Sequence, residues 1–162
     1  MKISFKRRFS SDIAFSVEID DKHKNDSVRT QRGEAIKKAI KEKIDLSGSD
    51  LRGSNLSGSN LSGVPFIKDI HQTVYQAASV PPEALDMSTW HKCETTHCRA
   101  GWIVTLAGAG GAALEWALGT AAAAALIYIK SDPKLEKIPN FYATNEEALA
   151  DMKRLADLEK GA

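Results

Sequence analysis

Four side chains able to hold a metal or carry a nucleophilic step fall within eight residues: His91, Cys93, His97 and Cys98, in the stretch Trp90-His-Lys-Cys-Glu-Thr-Thr-His-Cys-Arg-Ala-Gly-Trp102. Thiolate and imidazole in this number suit a four-coordinate zinc site, but such sites usually draw on two separated ligand pairs, so that the loop between them can fold around a tetrahedron. Here His97 and Cys98 are adjacent, and the pattern predicts a helix from about Thr95 or Thr96, where neighbours do not both turn to one metal. A thiol at a helix start has a lowered pKa, and His91 or His97 could act as its base, but no third residue is evident to orient that base. The reading adopted is structural, with no catalytic residue, cofactor or metal. Cys93 and Cys98 are then small buried hydrophobes, His97 is hydrogen-bonded at the helix start, and Trp90 and Trp102 anchor the core. The zinc set His91, Cys93, His97 and Cys98 stands as the alternative.

The elements that must position this stretch are helical. Residues 69–79 read as a helix with Ile70, Val74, Ala77 and Ala78 inward, ended at Pro81-Pro82. The helix entered near Thr95 carries Ala100, Ile103, Val104 and Ala107 and stops at Gly108. A short helix restarts at Gly110-Gly111 with Leu114, Trp116 and Leu118, and Thr120 caps another over residues 121–129. Residues 145–159 form an amphipathic helix behind a capping box of Thr144 and Glu147. Gly108-Ala-Gly-Gly mimics a dinucleotide-binding turn, but the acidic residue such a site needs about 20 positions later is missing, since position 128 is Tyr. Between residues 100 and 129 Glu115 is the only charge, yet the uncharged run after it is too short and too rich in Ala and Gly to span a membrane.

The N-terminal third is built differently. Ile3, Phe5 and Phe9 share one face of a first strand, and Ile13, Phe15, Val17 and Ile19 one face of a second, with Arg7 on the apolar side and Ser10-Ser11-Asp12 as the turn. A helix over 28–44, capped by Asp26 or Ser27, lays Ala35, Ile36, Ala39, Ile40 and Ile44 on that hairpin. The formal charge of the chain is +1, from 22 Lys and Arg against 21 Asp and Glu, but it is uneven. Residues 1–44 hold 12 basic and 7 acidic side chains, a balance that admits a nucleic-acid or acidic partner. No aromatic residues alternate with the helix lysines, as a single-strand binder would need. Two cysteines make no disulfide framework, so the expected compartment is the cytoplasm.

Between these parts runs Ile44-Asp-Leu-Ser-Gly-Ser-Asp-Leu-Arg-Gly-Ser-Asn-Leu-Ser-Gly-Ser-Asn-Leu-Ser-Gly-Val-Pro-Phe66. Leu46, Leu51, Leu56 and Leu61 recur every fifth residue, with Phe66 next in line, Asp or Asn before each leucine and Gly two positions after. A period of five fits neither helix nor strand, and a glycine in each repeat would cost a helix about 1 kcal/mol. It fits a coil that turns a corner at each repeat, leucine to the axis. A flexible linker would have no reason to hold leucine in register.

These residues resemble the pentapeptide-repeat family, whose consensus is A-(D/N)-L-X-X. The resemblance implies a right-handed quadrilateral β-helix of about one coil, too little to bury its own leucines, so the coil must stack on its flanks or on a second copy. The fold expected is α+β: a β-hairpin plus helix over 1–44, the repeat coil over 45–66, and an α-helical domain over 67–162. With an opening like Met1-Lys-Ile-Ser-Phe-Lys-Arg-Arg-Phe9 and its helical tail, the whole chain resembles small pentapeptide-repeat proteins of bacteriophages and prophages. Family members that mimic DNA and inhibit gyrase present a long acidic rod, whereas only Asp45 and Asp50 are acidic here, beside Arg52. The resemblance implies a non-catalytic binder of a host protein, of anti-defence type such as an anti-CRISPR, acting in the host cytoplasm, and the strand edges of the hairpin with the open faces of a single coil predict a homodimer. The alternatives are a zinc- or thiol-dependent site at His91–Cys98, or nucleic-acid binding by the basic third.

Overall fold

The computed structural model describes residues 1–7, 11–42, 44, 46 and 61–161. Alternating apolar residues at the N-terminus pair as an antiparallel hairpin of β1 (Lys2–Lys6) and β2 (Ile13–Glu18), with Ile3 opposite Val17 and Phe5 opposite Phe15. The two-residue period turns Phe5, Phe15 and Val17 inward, and the two Phe rings stack at 4.5 Å. Two expected members of that face are outside it. Ile13 is exposed where the register slips opposite Lys6, and Arg7 is exposed as well. The cation lying over the apolar face is Arg32, its guanidinium carbon 4.6 Å from the Phe5 ring centre. Phe9 lies outside the described residues.

Helix α1 (Val28–Lys41) starts where Ser27 Oγ accepts the Thr30 amide at 3.2 Å, and it packs Ala35, Ile36 and Ala39 against both strands. It ends at Lys41 rather than Ile44, whose amide turns back to the Ala39 carbonyl at 2.9 Å.

The C-terminal part holds α2 (Ile70–Ser79), α3 (Arg99–Leu106), α4 (Gly108–Leu118), α5 (Thr120–Ser131) and α6 (Asn145–Lys160). Helix α5 is buried at every position from Thr120 to Ile129, with α3 and α4 packed on it, while α2 packs on α6. Small residues make that possible: a Cβ on Gly111 would run into the Val104 carbonyl, so α4 can follow α3 this closely only with glycine there. The capping box at α6 is present, with Glu147 N donating to Thr144 Oγ1 and Thr144 N to Glu147 Oε2. Among the described residues no helix is long and apolar enough to cross a membrane. The fold is mixed α and β, as α+β requires.

Three expectations are corrected here. Residues 91–97 do not begin a helix: β3 (His91–Cys93) and β4 (Thr96–His97) form a small hairpin around Glu94-Thr95, and α3 starts only at Arg99. Thr120 does not cap α5 with its side chain, because its hydroxyl is taken by Glu115 Oε1 at 2.5 Å. Phe66 does not continue the leucine register. It is 61% exposed, and Ile67 takes the interior position instead, after a turn at Leu61–Val64 with Gly63 at φ 77°. Of the repeat leucines, Leu46 is buried and Leu61 is half-buried on the core; Leu51 and Leu56, with most of the coil, lie outside the described residues.

Candidate functional site

The β3–β4 hairpin brings His91 and His97 face to face, directly opposite in register, with their Nδ1 atoms 2.9 Å apart. His91 Nε2 reaches Glu115 Oε1 at 2.9 Å, and His97 Nε2 reaches the Glu94 carbonyl at 3.2 Å. Glu115, the lone charge of an apolar run, thus ties α4 to the hairpin while also receiving Thr120. Proton counting follows from these partners. A carboxylate and a carbonyl only accept, so both Nε2 atoms carry hydrogen, and the Nδ1 pair needs one hydrogen between them. Two neutral imidazoles supply two hydrogens where these contacts use three, so two neutral rings satisfy at most two of the three contacts at once. Burial lowers the His97 pKa, outweighing the Glu94 carbonyl, and His91 nearby lowers it further.

The two cysteines are separated in environment. Cys98 is buried, its sulfur accepting the Gly101 amide at 3.3 Å as the N-cap of α3. Burial pushes its thiol up to about 11, against the opposing Gly101 and Ala100 amides. Cys93 is exposed at the hairpin tip, contrary to the expected burial, as are the other two residues of the short strand β3. The hydroxyls of Thr96 and then Thr95, with the Thr95 amide, lower its pKa to about 7. His91 and His97 thus meet each other, while Cys93 is turned to Thr95 and Thr96 and Cys98 to the Gly101 amide. Among the described residues no three His, Cys, Asp or Glu side chains gather as a metal would require. No imidazole nitrogen is hydrogen-bonded to the Cys93 sulfur among the described residues. The tryptophans do pack on the core: Trp90 meets Tyr142 edge-on at 5.2 Å, and Trp102 Nε1 donates to the Ala84 carbonyl at 2.8 Å.

A second polar cluster was not singled out by sequence reasoning. Arg99, 1% exposed, donates from Nε to Tyr128 Oη at 3.1 Å and from Nη1 to Asp151 Oδ2 at 2.7 Å. Tyr128 stacks on His71, whose Nε2 meets Asp132 Oδ2 at 3.0 Å. Burial raises the Asp151 carboxyl pKa, but hydrogen bonds from Arg99 and Arg154 outweigh it, and the net shift is downward. The only sequence signal was Arg99 itself, a cation opening the helix that carries Ala100, Ile103 and Val104.

Leu46 and Leu61, the described members of the leucine series, both touch the core. The family model described as "Pentapeptide repeats (8 copies)" matches residues 42–66. The chain carries pentapeptide repeats. The match begins at Glu42, immediately after α1, so the repeat segment joins the hairpin-and-helix part to the helical one. No curated protein and no solved structure matches the chain.

Proposed function

We propose that this protein is a non-catalytic binding protein, phage- or prophage-encoded, that engages a host protein in the cytoplasm as an anti-defence inhibitor of the anti-CRISPR kind. The observation that carries the reading is the outer face of α4. Ala109, Ala112, Ala113, Trp116 and Ala117 follow one helical stripe, all are exposed, and Trp116 is exposed to 92%. A helix this apolar belongs against another surface. A large aromatic ringed by small side chains is the composition of an interface anchor, since Trp gives much contact area for little lost freedom. The basic third supports nucleic-acid binding less well. On α1, Lys37 is paired with Glu34 at 2.7 Å, and Lys38 is held by the Glu18 carbonyl at 2.7 Å and by Glu42.

The test is affinity capture from host lysate with the wild-type chain and Trp116→Glu, followed by phage plating on a host with active CRISPR immunity. The expected result is one host protein held by the wild type and released by the variant, with plaques restored only by the wild type. Equal capture by both would remove α4 from the reading. Restored plaques without any captured protein would remove the binding mechanism.

A second reading is favoured by one observation, the exposed Cys93 thiol with its pKa near 7. It makes the hairpin tip a thiol-dependent site. Plaque restoration that is lost in Cys93→Ser but kept in Trp116→Glu would favour it.

A further inference from the structure

Arg99 has a guanidinium nitrogen for which the described residues provide no acceptor. With Nε on Tyr128 and Nη1 on Asp151, Nη2 is buried and unpartnered, on a side chain only 1% exposed. A buried donor in this position calls for an acceptor. Arg99 lines a cavity of about 300 Å³ whose other walls are Asn140, Ala143, Glu147, Ala148 and Asp151. The cavity shares Asn140 and Asp151 with a wider cleft of about 780 Å³ between residues 132–140 and α6, so it has an open approach.

The charges choose the ligand. Asp151 is already bound by Arg99 through Oδ2 and by Arg154 through Oδ1. Glu147 keeps one oxygen, Oε2, on the Thr144 amide. One cation and two carboxylates therefore line the cavity. An entering anion would meet Glu147, and an entering cation would meet Arg99. A neutral group with a carbonyl acceptor and an N–H donor satisfies both, and Ala143 and Ala148 leave room for its carbon. We propose that this cavity binds a carboxamide, its carbonyl accepting from Arg99 Nη2 and its N–H donating to the Glu147 carboxylate. The amide comes from an Asn or Gln side chain or from a peptide backbone. This site is independent of the α4 face.

The experiment is a titration of the full chain with acetamide, N-methylacetamide and sodium acetate, read by amide ¹H–¹⁵N NMR shifts. Saturable shifts are expected at Ala143, Glu147, Ala148 and Asp151 with the amides and not with acetate. Saturation by acetamide alone identifies the side-chain type of amide, and saturation by N-methylacetamide identifies the backbone type. Ala143→Met, which fills a wall without touching Arg99, should abolish the shifts while the rest of the spectrum superimposes. Glu147→Gln, which removes the carboxylate and keeps the side-chain length, should let acetate in. Acetate shifting the same residues of the wild type, no saturable probe, or acetate still excluded from Glu147→Gln would each overturn the proposal.

Discussion

Arg99, at the first position of α3, holds Asp151, in the middle of α6, through a 2.7 Å hydrogen bond that a second cation, Arg154, supports from the other carboxylate oxygen. The pair joins helices far apart in sequence, and it does so with a guanidinium that has almost no contact with water. Asp151→Ala should therefore destabilise the fold by about 3 kcal/mol or more, because a buried cation is left without its anion. Arg99→Met should cost less, since it removes the charge and keeps the apolar stem. Urea midpoints of the two variants check the order. A smaller loss in Asp151→Ala than in Arg99→Met would show that the pair is not held as described.

The same carboxylate sets an acid limit. Its folded-state pKa is lowered, so the unfolded chain takes up the proton first. The contribution of Asp151 to stability is present in full above the unfolded value of about 4 and is lost as pH falls through the lower folded value. Melting temperature followed from pH 6 downward should fall more steeply in the wild type than in Asp151→Asn.

Cys93 and Cys98 should part company in alkylation. Iodoacetamide should modify Cys93 with a midpoint near pH 7, and leave Cys98, buried and pushed up to about 11, untouched in the folded protein. Thr96→Val should move the Cys93 midpoint upward, since the Thr96 hydroxyl is its largest support. Peptide mass spectrometry reads both residues at once. A Cys93 midpoint unmoved by Thr96→Val would remove the hydroxyl from the explanation.

Gly101 lies where a Cβ would collide with the Trp90 carbonyl, which also accepts the Cys98 amide at 3.1 Å. Gly101→Ala must push the β3–β4 hairpin away from α3, at a cost of about 1–3 kcal/mol. Thermal unfolding measures it. A stability gain, as for an alanine in an unobstructed helix, would place Trp90 elsewhere.

Trp116→Glu should change stability by no more than about 0.5 kcal/mol, because the side chain is 92% exposed. Homodimer formation is expected through the edges that a two-stranded hairpin leaves open. Light scattering should then give two chains per particle for the wild type and for Trp116→Glu alike. One chain per particle over a wide concentration range would count against the dimer.

The sequence by itself determined the elements whose pattern is local. The two-residue alternation of Phe5, Phe15 and Val17, the helical stripe Ala35-Ile36-Ala39 and the Thr144–Glu147 capping box each follow from backbone geometry over a few neighbouring positions. Only the tertiary structure decided the chemistry around residue 91. His91 and His97 face each other because a hairpin pairs them, and Glu115 joins them from α4, a partner no spacing could announce. Arg99 looked like an ordinary helix-start cation, and its burial depends on Tyr128 and Asp151, which arrive from two other helices. Cys93 and Cys98 are the same residue type five positions apart, yet one thiol is covered and the other is not. What separates them is which neighbours the fold brings up to each sulfur, a long-range property that local periodicity does not carry.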